Sequence, residues 1–208
     1  MLAVISSPHP VKNEAGIINS LFKAGLFHFH LRKPAASLTE VKELLAAIDP
    51  EYYQRIALHH HHALALETGL TRLHFTEDAR LKTDKIFWRE LVAAGFRLST
   101  SLHDVEAARS LSTCFSYAFL GPVFDSISKT GYRANVNLCG CKQVTEAVSP
   151  LIAIGGIDKH NCTKPLQMGF KGVAVLGAIW EDNSPLEAFR DLKDQWLSDA
   201  KPLFPPIV

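Results

Sequence analysis

The stretch that decides the fold reads Leu151-Ile-Ala-Ile-Gly-Gly-Ile157, a short apolar run that breaks into two glycines. A similar run, Gly172-Val-Ala-Val-Leu-Gly-Ala-Ile179, follows it, and an earlier one, Ser116-Tyr-Ala-Phe-Leu-Gly121, opens into a polar loop. Apolar runs of this length are typical of buried parallel strands. Glycines at the ends of such strands expose backbone amides, which suit a phosphorylated ligand, so the same residues indicate a fold and a ligand.

Short apolar runs alternate with helical patterns along the whole chain. The strand candidates are Leu2–Ile5, Phe27–Leu31, Arg55–Leu58, Arg72–Phe75, Arg97–Ser101, Tyr117–Leu120, Leu151–Ile154 and Gly172–Leu176. Helical patterns fill the intervals, for instance behind the capping box Ser37-Leu-Thr-Glu40 and behind Ser184-Pro-Leu-Glu187. This alternation predicts a single (β/α)8 barrel domain over residues 1–208, with a doubly wound open sheet as the structural alternative.

Composition excludes several classes of protein. The 208 residues are 47% hydrophobic and carry a net charge of +1, so no basic field indicates a nucleic-acid partner. No apolar run approaches the roughly 18 residues of a membrane span, so we expect no membrane partner. The first residues resemble a strand more than a signal peptide, and the cysteines lack zinc-ribbon spacing. A cytoplasmic location with reduced thiols is therefore expected.

A ligand site in such a barrel lies at the carboxyl ends of the strands. At the second strand, His28, His30 and Arg32 alternate with apolar residues, and a period of two directs all three toward the barrel axis. An arginine at the barrel mouth is a natural clamp for a phosphate group. The alternative interpretation is a buried polar layer without a ligand.

Histidines and carboxylates follow the third and fourth strands. The run His59-His-His-His62 resembles a metal site, but neighbours on an extended strand point in opposite directions, so at most two can line the mouth. After the fourth strand, Glu77 and Asp78 offer oxygen ligands for magnesium. An acidic first turn of a helix explains the same two carboxylates equally well.

The later strands supply hydroxyls, a lysine and glycines. Ser101 and His103 follow the fifth strand, and the long loop after the sixth carries Ser126, Ser128 and Lys129, which are suited to a diphosphate or a phosphate. The last two strands end in glycine-containing turns, where a barrel of this kind places its phosphate cradle. The cradle residues are Gly155, Gly156, Leu176 and Gly177.

These motifs resemble those of the thiamine phosphate synthase/TenI family over nearly the whole chain. The resemblance is strongest in Tyr117–Lys129, Ala153–Ile157 and Gly172–Ile179, and weaker in Phe29–Arg32 and Leu73–Asp78. It implies a (β/α)8 barrel, a homodimer, and the coupling of a hydroxymethylpyrimidine diphosphate to a thiazole phosphate with release of pyrophosphate. The resemblance also implies Mg²⁺ as cofactor.

The resemblance assigns roles to residues of this chain. Arg32 and Lys129 would grip the diphosphate, and Ser101 and Ser126 would add hydroxyl contacts. Asp78 would bind Mg²⁺. The thiazole phosphate would be held by backbone amides of Gly156, Leu176 and Gly177.

The chain also departs from the synthase pattern. His30 stands where the synthases have glutamine, Pro34 lies near a missing lysine, and His59 and His60 replace an Asn-Asp pair whose aspartate binds magnesium. Pro122 keeps the synthase residue where a thiazole tautomerase of the TenI branch has histidine. Two alternatives to a synthase therefore stay open. One is a tautomerase with His30, His60 or His103 as proton carrier, and the other is a silent binder of thiamine phosphate.

Overall fold

Eight parallel strands form a closed barrel in the computed structural model, which describes residues 1–125, 144 and 147–200. Each strand pairs with the next one along the chain, and the eighth closes on the first. The strands are β1 (Leu2–Ile5), β2 (His28–Leu31), β3 (Ile56–Leu58), β4 (Arg72–Phe75), β5 (Arg97–Leu102), β6 (Phe115–Leu120), β7 (Leu151–Ile154) and β8 (Gly172–Val175). The (β/α)8 prediction is confirmed, and the open sheet is excluded.

Helices connect the strands on the outside of the barrel. In the described part they are α1 (Glu14–Lys23), α2 (Leu38–Ala46), α3 (Leu64–Thr68), α4 (Glu77–Lys82), α5 (Lys85–Ala93), α6 (Glu106–Arg109), α7 (Lys164–Gln167), α8 (Gly177–Trp180) and α9 (Pro185–Ala200), with a 3-10 turn at Pro50–Arg55. The predicted capping box is present: the Ser37 hydroxyl accepts from the Glu40 amide, and the Glu40 carboxylate accepts from the Ser37 amide. Among the described residues no helix is both long and apolar enough to cross a membrane.

The barrel interior is divided by chemistry. On the side of β1, β6, β7 and β8 it is apolar, and a small buried cluster fills it. That cluster consists of Ala3, Ile5, Phe119, Ile152 and Ala174. On the side of β2, β3 and β4 the interior is polar and holds buried imidazole rings. A larger apolar layer between sheet and helices supplies most of the core, so the barrel tolerates this polar sector.

Candidate active site

Three histidines meet inside the barrel at the carboxyl ends of three consecutive strands. His30 lies in β2, His59 directly follows β3, and His74 lies in β4. The amide of His59 donates to the carbonyl of Leu31 at 3.1 Å, which extends the β2–β3 pairing by one residue and brings His59 beside His30. All three side chains are buried. We call His30, His59 and His74 the histidine cluster.

Hydrogen bonds connect the cluster to β5 and β6. Nδ1 of His30 lies 2.9 Å from Nε2 of His59, and Nε2 of His30 lies 2.8 Å from the Tyr117 hydroxyl. The two ring nitrogens of His74 lie 2.9 Å from the hydroxyls of Ser99 and Ser101. The rings of His59 and His74 stack with centroids 3.9 Å apart. The cluster is thus a packed, oriented unit, and the predicted site residue Ser101 lies next to it.

The cluster is uncharged at neutral pH. Burial lowers the pKa of His30 and of His59 well below the ordinary value of 6.5, and the neighbouring His74 lowers both further. Burial lowers the pKa of His74 to about 3, with His62 and Arg32 as further causes. A neutral imidazole has one unprotonated ring nitrogen, which can accept a hydrogen bond or bind a metal ion.

Arg32 lies at the mouth, above the cluster. Its backbone is fixed by Ser6, whose hydroxyl donates to the Arg32 carbonyl at 3.0 Å and accepts from the Arg32 amide at 2.8 Å. The guanidinium is close enough to lower the pKa of His59, His60 and His74. Within residues 1–125, 144 and 147–200, no carboxylate lies within salt-bridge distance of Arg32. An arginine in this position is suited to an anionic ligand.

The four histidines from 59 to 62 have four different surroundings. His59 belongs to the cluster. Nε2 of His61 lies 3.0 Å from the carbonyl oxygen of Ala36, and Nε2 of His62 lies 3.1 Å from that of His74. His60 is half-buried, and its Nε2 has no hydrogen-bond partner among the described atoms. The run therefore does not act as one multidentate group, because its side chains diverge.

The carboxylates at the start of α4 face other partners. Asp78 is exposed, with one oxygen 4.0 Å from the Lys82 ammonium. Glu77 bonds Arg80 at 3.3 Å and lies 3.9 Å from Nε2 of His103, which is itself exposed. Mg²⁺ requires oxygen ligands, so the imidazoles of β2–β4 do not suit it. The carboxylates of Glu77 and Asp78, in the first turn of α4, offer oxygen ligands.

The glycines after β7 are required by the fold itself. The amides of Val123 and Phe124 donate to the carbonyls of Ile154 and Gly155 at 2.9 Å and 3.1 Å. This close approach leaves no space for a side chain, since a Cβ on Gly156 would lie within 2.7 Å of the Phe124 backbone. Both Gly155 and Gly156 also have positive φ, 97° and 63°. Their presence is explained without a ligand.

The turn after β8 is more open. Gly177 is the first residue of α8, and the atoms nearest to a Cβ placed on it belong to the flexible Glu181 carboxylate, the first at 3.2 Å. Leu176 precedes it as the N-terminal flanking residue of that helix. Packing thus does not account for Gly177, which leaves ligand contact as a reason for it. Ser126, Ser128 and Lys129 lie outside the residues that the structure describes.

Sequence reasoning missed several members of this site. His59, His74 and Ser99 were candidates at the strand ends without an assigned role, and Tyr117 was not a candidate. His74 and Ser99 share the inward phase of their strands with the predicted Ser101. The missing information was strand register, which places the histidines of separate strands at one height. Lys33 was also overlooked. It is buried with its ammonium 2.6 Å from Glu14, so it does not replace the lysine missing at Pro34.

A closed (β/α)8 barrel with an arginine and other polar side chains at the carboxyl ends of its strands defines the class of (β/α)8 barrel enzymes, whose active sites lie at that end. The chain belongs to the thiamine monophosphate synthase family, whose sequence profile matches residues 2–179. The resemblance expected from the motifs is thereby confirmed. Family membership makes the chain an enzyme of thiamine biosynthesis of the transferase class.

Individual relatives agree with this assignment. The thiamine-phosphate synthase of Salmonella dublin is 30% identical over 82% of this chain and 82% of that protein. The synthase of Neisseria meningitidis serogroup B is 28% identical over 85% of this chain and 89% of that protein. A solved thiamine phosphate pyrophosphorylase from Bacteroides thetaiotaomicron superposes with a TM-score of 0.74 at 27% identity, covering 96% of this chain and 98% of that one.

Proposed function

We propose that the chain couples a hydroxymethylpyrimidine diphosphate to a thiazole phosphate, forming thiamine phosphate and releasing pyrophosphate. The observation that carries the proposal is Arg32, a charged group without a described carboxylate partner at the mouth of a barrel of the synthase family. An anion with several oxygens, such as a diphosphate, is the ligand that a guanidinium binds best.

The reaction breaks the bond between the pyrimidine methylene carbon and a diphosphate oxygen, while the thiazole nitrogen bonds that carbon. Negative charge gathers on the departing diphosphate, and positive charge develops on the pyrimidine. Arg32, together with Lys129 of the loop after β6, stabilises the departing anion, since fixed cations are most effective where charge develops. The hydroxyls of Ser101, Ser126 and Ser128 add hydrogen bonds.

The thiazole phosphate occupies the opposite side of the mouth in this proposal. Backbone amides at Leu176 and Gly177 donate to its oxygens, with Gly155 and Gly156 forming the neighbouring wall. The open surroundings of Gly177 support this placement, because its lack of a side chain has no other packing reason.

The proposal includes a weakly bound Mg²⁺ ion. Asp78, the carboxylate that resembles the family's metal ligand, would bind Mg²⁺, with Glu77 next to it. The ion, when bound, supplies positive charge to the diphosphate. The residues that replace the second family carboxylate are imidazoles, so we expect Mg²⁺ to bind weakly. A homodimer and a cytoplasmic location complete the proposal, as the resemblance and the N-terminal pattern lead us to expect.

A thiazole tautomerase is the second candidate, and His60 favours it. Its half-buried ring has a nitrogen without a described hydrogen-bond partner, and burial lowers its pKa, so a neutral base lies close to Arg32. A base that removes a proton and returns it elsewhere is sufficient for an isomerisation of this kind. His30 and His103 are the other proton carriers considered.

One set of assays tests the proposal. Purified protein receives both substrates with Mg²⁺ and then the thiazole tautomer alone, and products are followed in each reaction. We expect coupling, and we expect Arg32→Met to lower its rate roughly a hundredfold or more. Arg190→Met is the matched control, since Arg190 pairs with Glu187 on the exposed surface of α9. Isomerisation without coupling would identify the tautomerase, and binding without either reaction the silent binder.

A further inference from the structure

The histidine cluster has the composition of a metal site that the family's magnesium chemistry does not explain. We propose that His30, His59 and His74 bind one divalent transition-metal ion, with Zn²⁺ as the ion that best suits three imidazole ligands. The proposal is independent of the Mg²⁺ proposed at Asp78, because it uses different residues and a different ligand type.

Distances between the nitrogens favour this site. Nδ1 of His30 and Nε2 of His59 already face one another at 2.9 Å, and one nitrogen from each of the three rings falls within a common separation of 4.8 Å. Ligands of a tetrahedral ion with metal–nitrogen bonds of about 2.0–2.1 Å lie about 3.4 Å apart. Shifts of about an ångström at most would therefore seat an ion. The rings come from three consecutive strands, which hold them in place.

The hydrogen bond between His30 and His59 can be replaced by a metal ion. Two neutral imidazoles share a single proton between Nδ1 of His30 and Nε2 of His59. Whichever ring holds it, Nδ1 of His59 stays buried with no hydrogen-bond partner in the described part of the chain. A metal ion replaces the shared proton, and that proton moves to a remote ring nitrogen. No change in the charge of the two rings is required.

The groups around the cluster are those that support a metal-binding histidine. The hydroxyl of Tyr117 lies on the remote nitrogen of His30, and two serine hydroxyls lie on the nitrogens of His74. When the ion binds one ring nitrogen of His74, the serine hydroxyl at that nitrogen must move away. The other serine keeps the ring oriented. Hydrogen bonds of this kind to metal-bound histidines raise affinity by about ten- to a hundredfold.

The positive charge of Arg32 repels a cation in the cluster. Neutral imidazole ligands and an anionic fourth ligand offset this repulsion. Neutral imidazoles are present at pH 7 without loss of protons, because burial has already discharged them. Three neutral ligands leave the ion with its full double charge. An anionic fourth ligand, such as hydroxide or a phosphate oxygen, would then be shared between the ion and Arg32.

The test uses the full chain, produced without a histidine tag and freed of metal with a chelator. Co²⁺ is titrated as the optical probe, because tetrahedral Co²⁺ absorbs visible light far more strongly than octahedral Co²⁺. We expect one strongly absorbing Co²⁺ per chain, displaced by Zn²⁺ and not by Mg²⁺. His59→Asn and His74→Asn should weaken binding at least a hundredfold. His160→Asn, at an exposed histidine elsewhere, should leave it unchanged.

A gentler variant and a direct readout protect the test against misfolding. Tyr117→Phe removes only the hydroxyl and should weaken Co²⁺ binding about tenfold or more. In the unmodified protein, nitrogen NMR of the histidine rings should report Zn²⁺ on His30, His59 and His74. A weak octahedral spectrum, or resonance changes confined to His60, His61 and His62, would overturn the proposal. None of these measurements involves coupling, so the proposed function stands or falls separately.

Discussion

The two sides of the barrel carry different chemistry. On the side of β6, β7 and β8 the interior is apolar, and the strand ends keep the glycines and Pro122 of the synthase pattern. On the side of β2, β3 and β4 the interior holds the imidazoles of His30, His59 and His74. The synthase pattern that the chain resembles has glutamine and asparagine at the first two of these positions. The difference teaches that one closed barrel can hold an apolar interior on one side and a polar, hydrogen-bonded interior on the other.

The largest effect is expected at a buried ion pair on the β2 side. Lys33 and Glu14 lie 2.6 Å apart and are nearly inaccessible to water. Lys33→Met leaves the Glu14 carboxylate buried alone, and breaking such a pair costs about 3–5 kcal/mol of unfolding free energy. Lys42→Met is the control, because Lys42 and Glu67 lie at a similar 2.7 Å but are exposed, where a pair contributes about 0–1 kcal/mol. Urea unfolding measures both.

The pH dependence of that variant sharpens the prediction. Burial raises the pKa of the Glu14 carboxyl above its ordinary value, and Lys33 opposes this. Without Lys33 the pKa rises further, so Glu14 takes up a proton as pH falls and then needs no partner. The cost of Lys33→Met should therefore be smaller at pH 5 than at pH 8. An equal cost at both values would mean that lost packing, not lost charge, is responsible.

The next largest effect is expected on the apolar side of the barrel, at the turn after β7. Gly156→Ala places a Cβ against the backbone of the loop after β6 and forces an alanine to a φ of 63°. We expect a loss of roughly 3 kcal/mol or more of unfolding free energy. Gly69→Ala is the control, with a φ of 75° and no atom within 4 Å of its Cβ. Equal losses for the two variants would show that the close approach at Gly156 relaxes at little cost.

A smaller and more specific effect is expected at the turn after β8. Gly177→Ala should lower the affinity for thiazole phosphate about fivefold to tenfold, since a methyl group intrudes where the backbone meets the phosphate. Stability should hold, because the nearest contacts of the new Cβ are with the movable Glu181 carboxylate. Calorimetric titration with each substrate checks this. Unchanged thiazole phosphate affinity, or an equal loss for the pyrimidine diphosphate, would place the cradle elsewhere.

The smallest effect is expected on the polar side of the barrel, just after β3. His60→Asp restores an oxygen ligand at the strand-three position and should reduce the Mg²⁺ concentration for half-maximal coupling a few-fold. His61→Asp is the matched control, as it adds the same carboxylate at the next residue, which has a φ of 55° that aspartate tolerates. A wild-type enzyme already saturated at low Mg²⁺, with no gain in the variant, would show that His60 is compatible with the metal site.

Much of the fold was predictable because strands and turns are local features. Leu2–Ile5, Arg72–Phe75 and Leu151–Ile154 have the predicted bounds, and the other strands differ at their ends by one or two residues. The inward direction of His30 followed from a period of two. The hydrogen-bond partner of His30 could not be predicted in this way, because the pairing of separate strands decides which side chains lie at the same height. The close approach of Gly156 to the backbone of Phe124 was not predictable either, because the two residues are distant in sequence.

By itself, the sequence determined the (β/α)8 barrel, the family and the position of Arg32 at the mouth, because apolar periodicity and strand-end motifs act over a few residues. Only the tertiary structure decided that the His59 side chain lies beside His30 and His74, apart from the side chains of its sequence neighbours. It also decided that Lys33 forms a buried ion pair with Glu14. Those contacts join residues from different strands and helices. They depend on register and barrel closure, which no local pattern encodes.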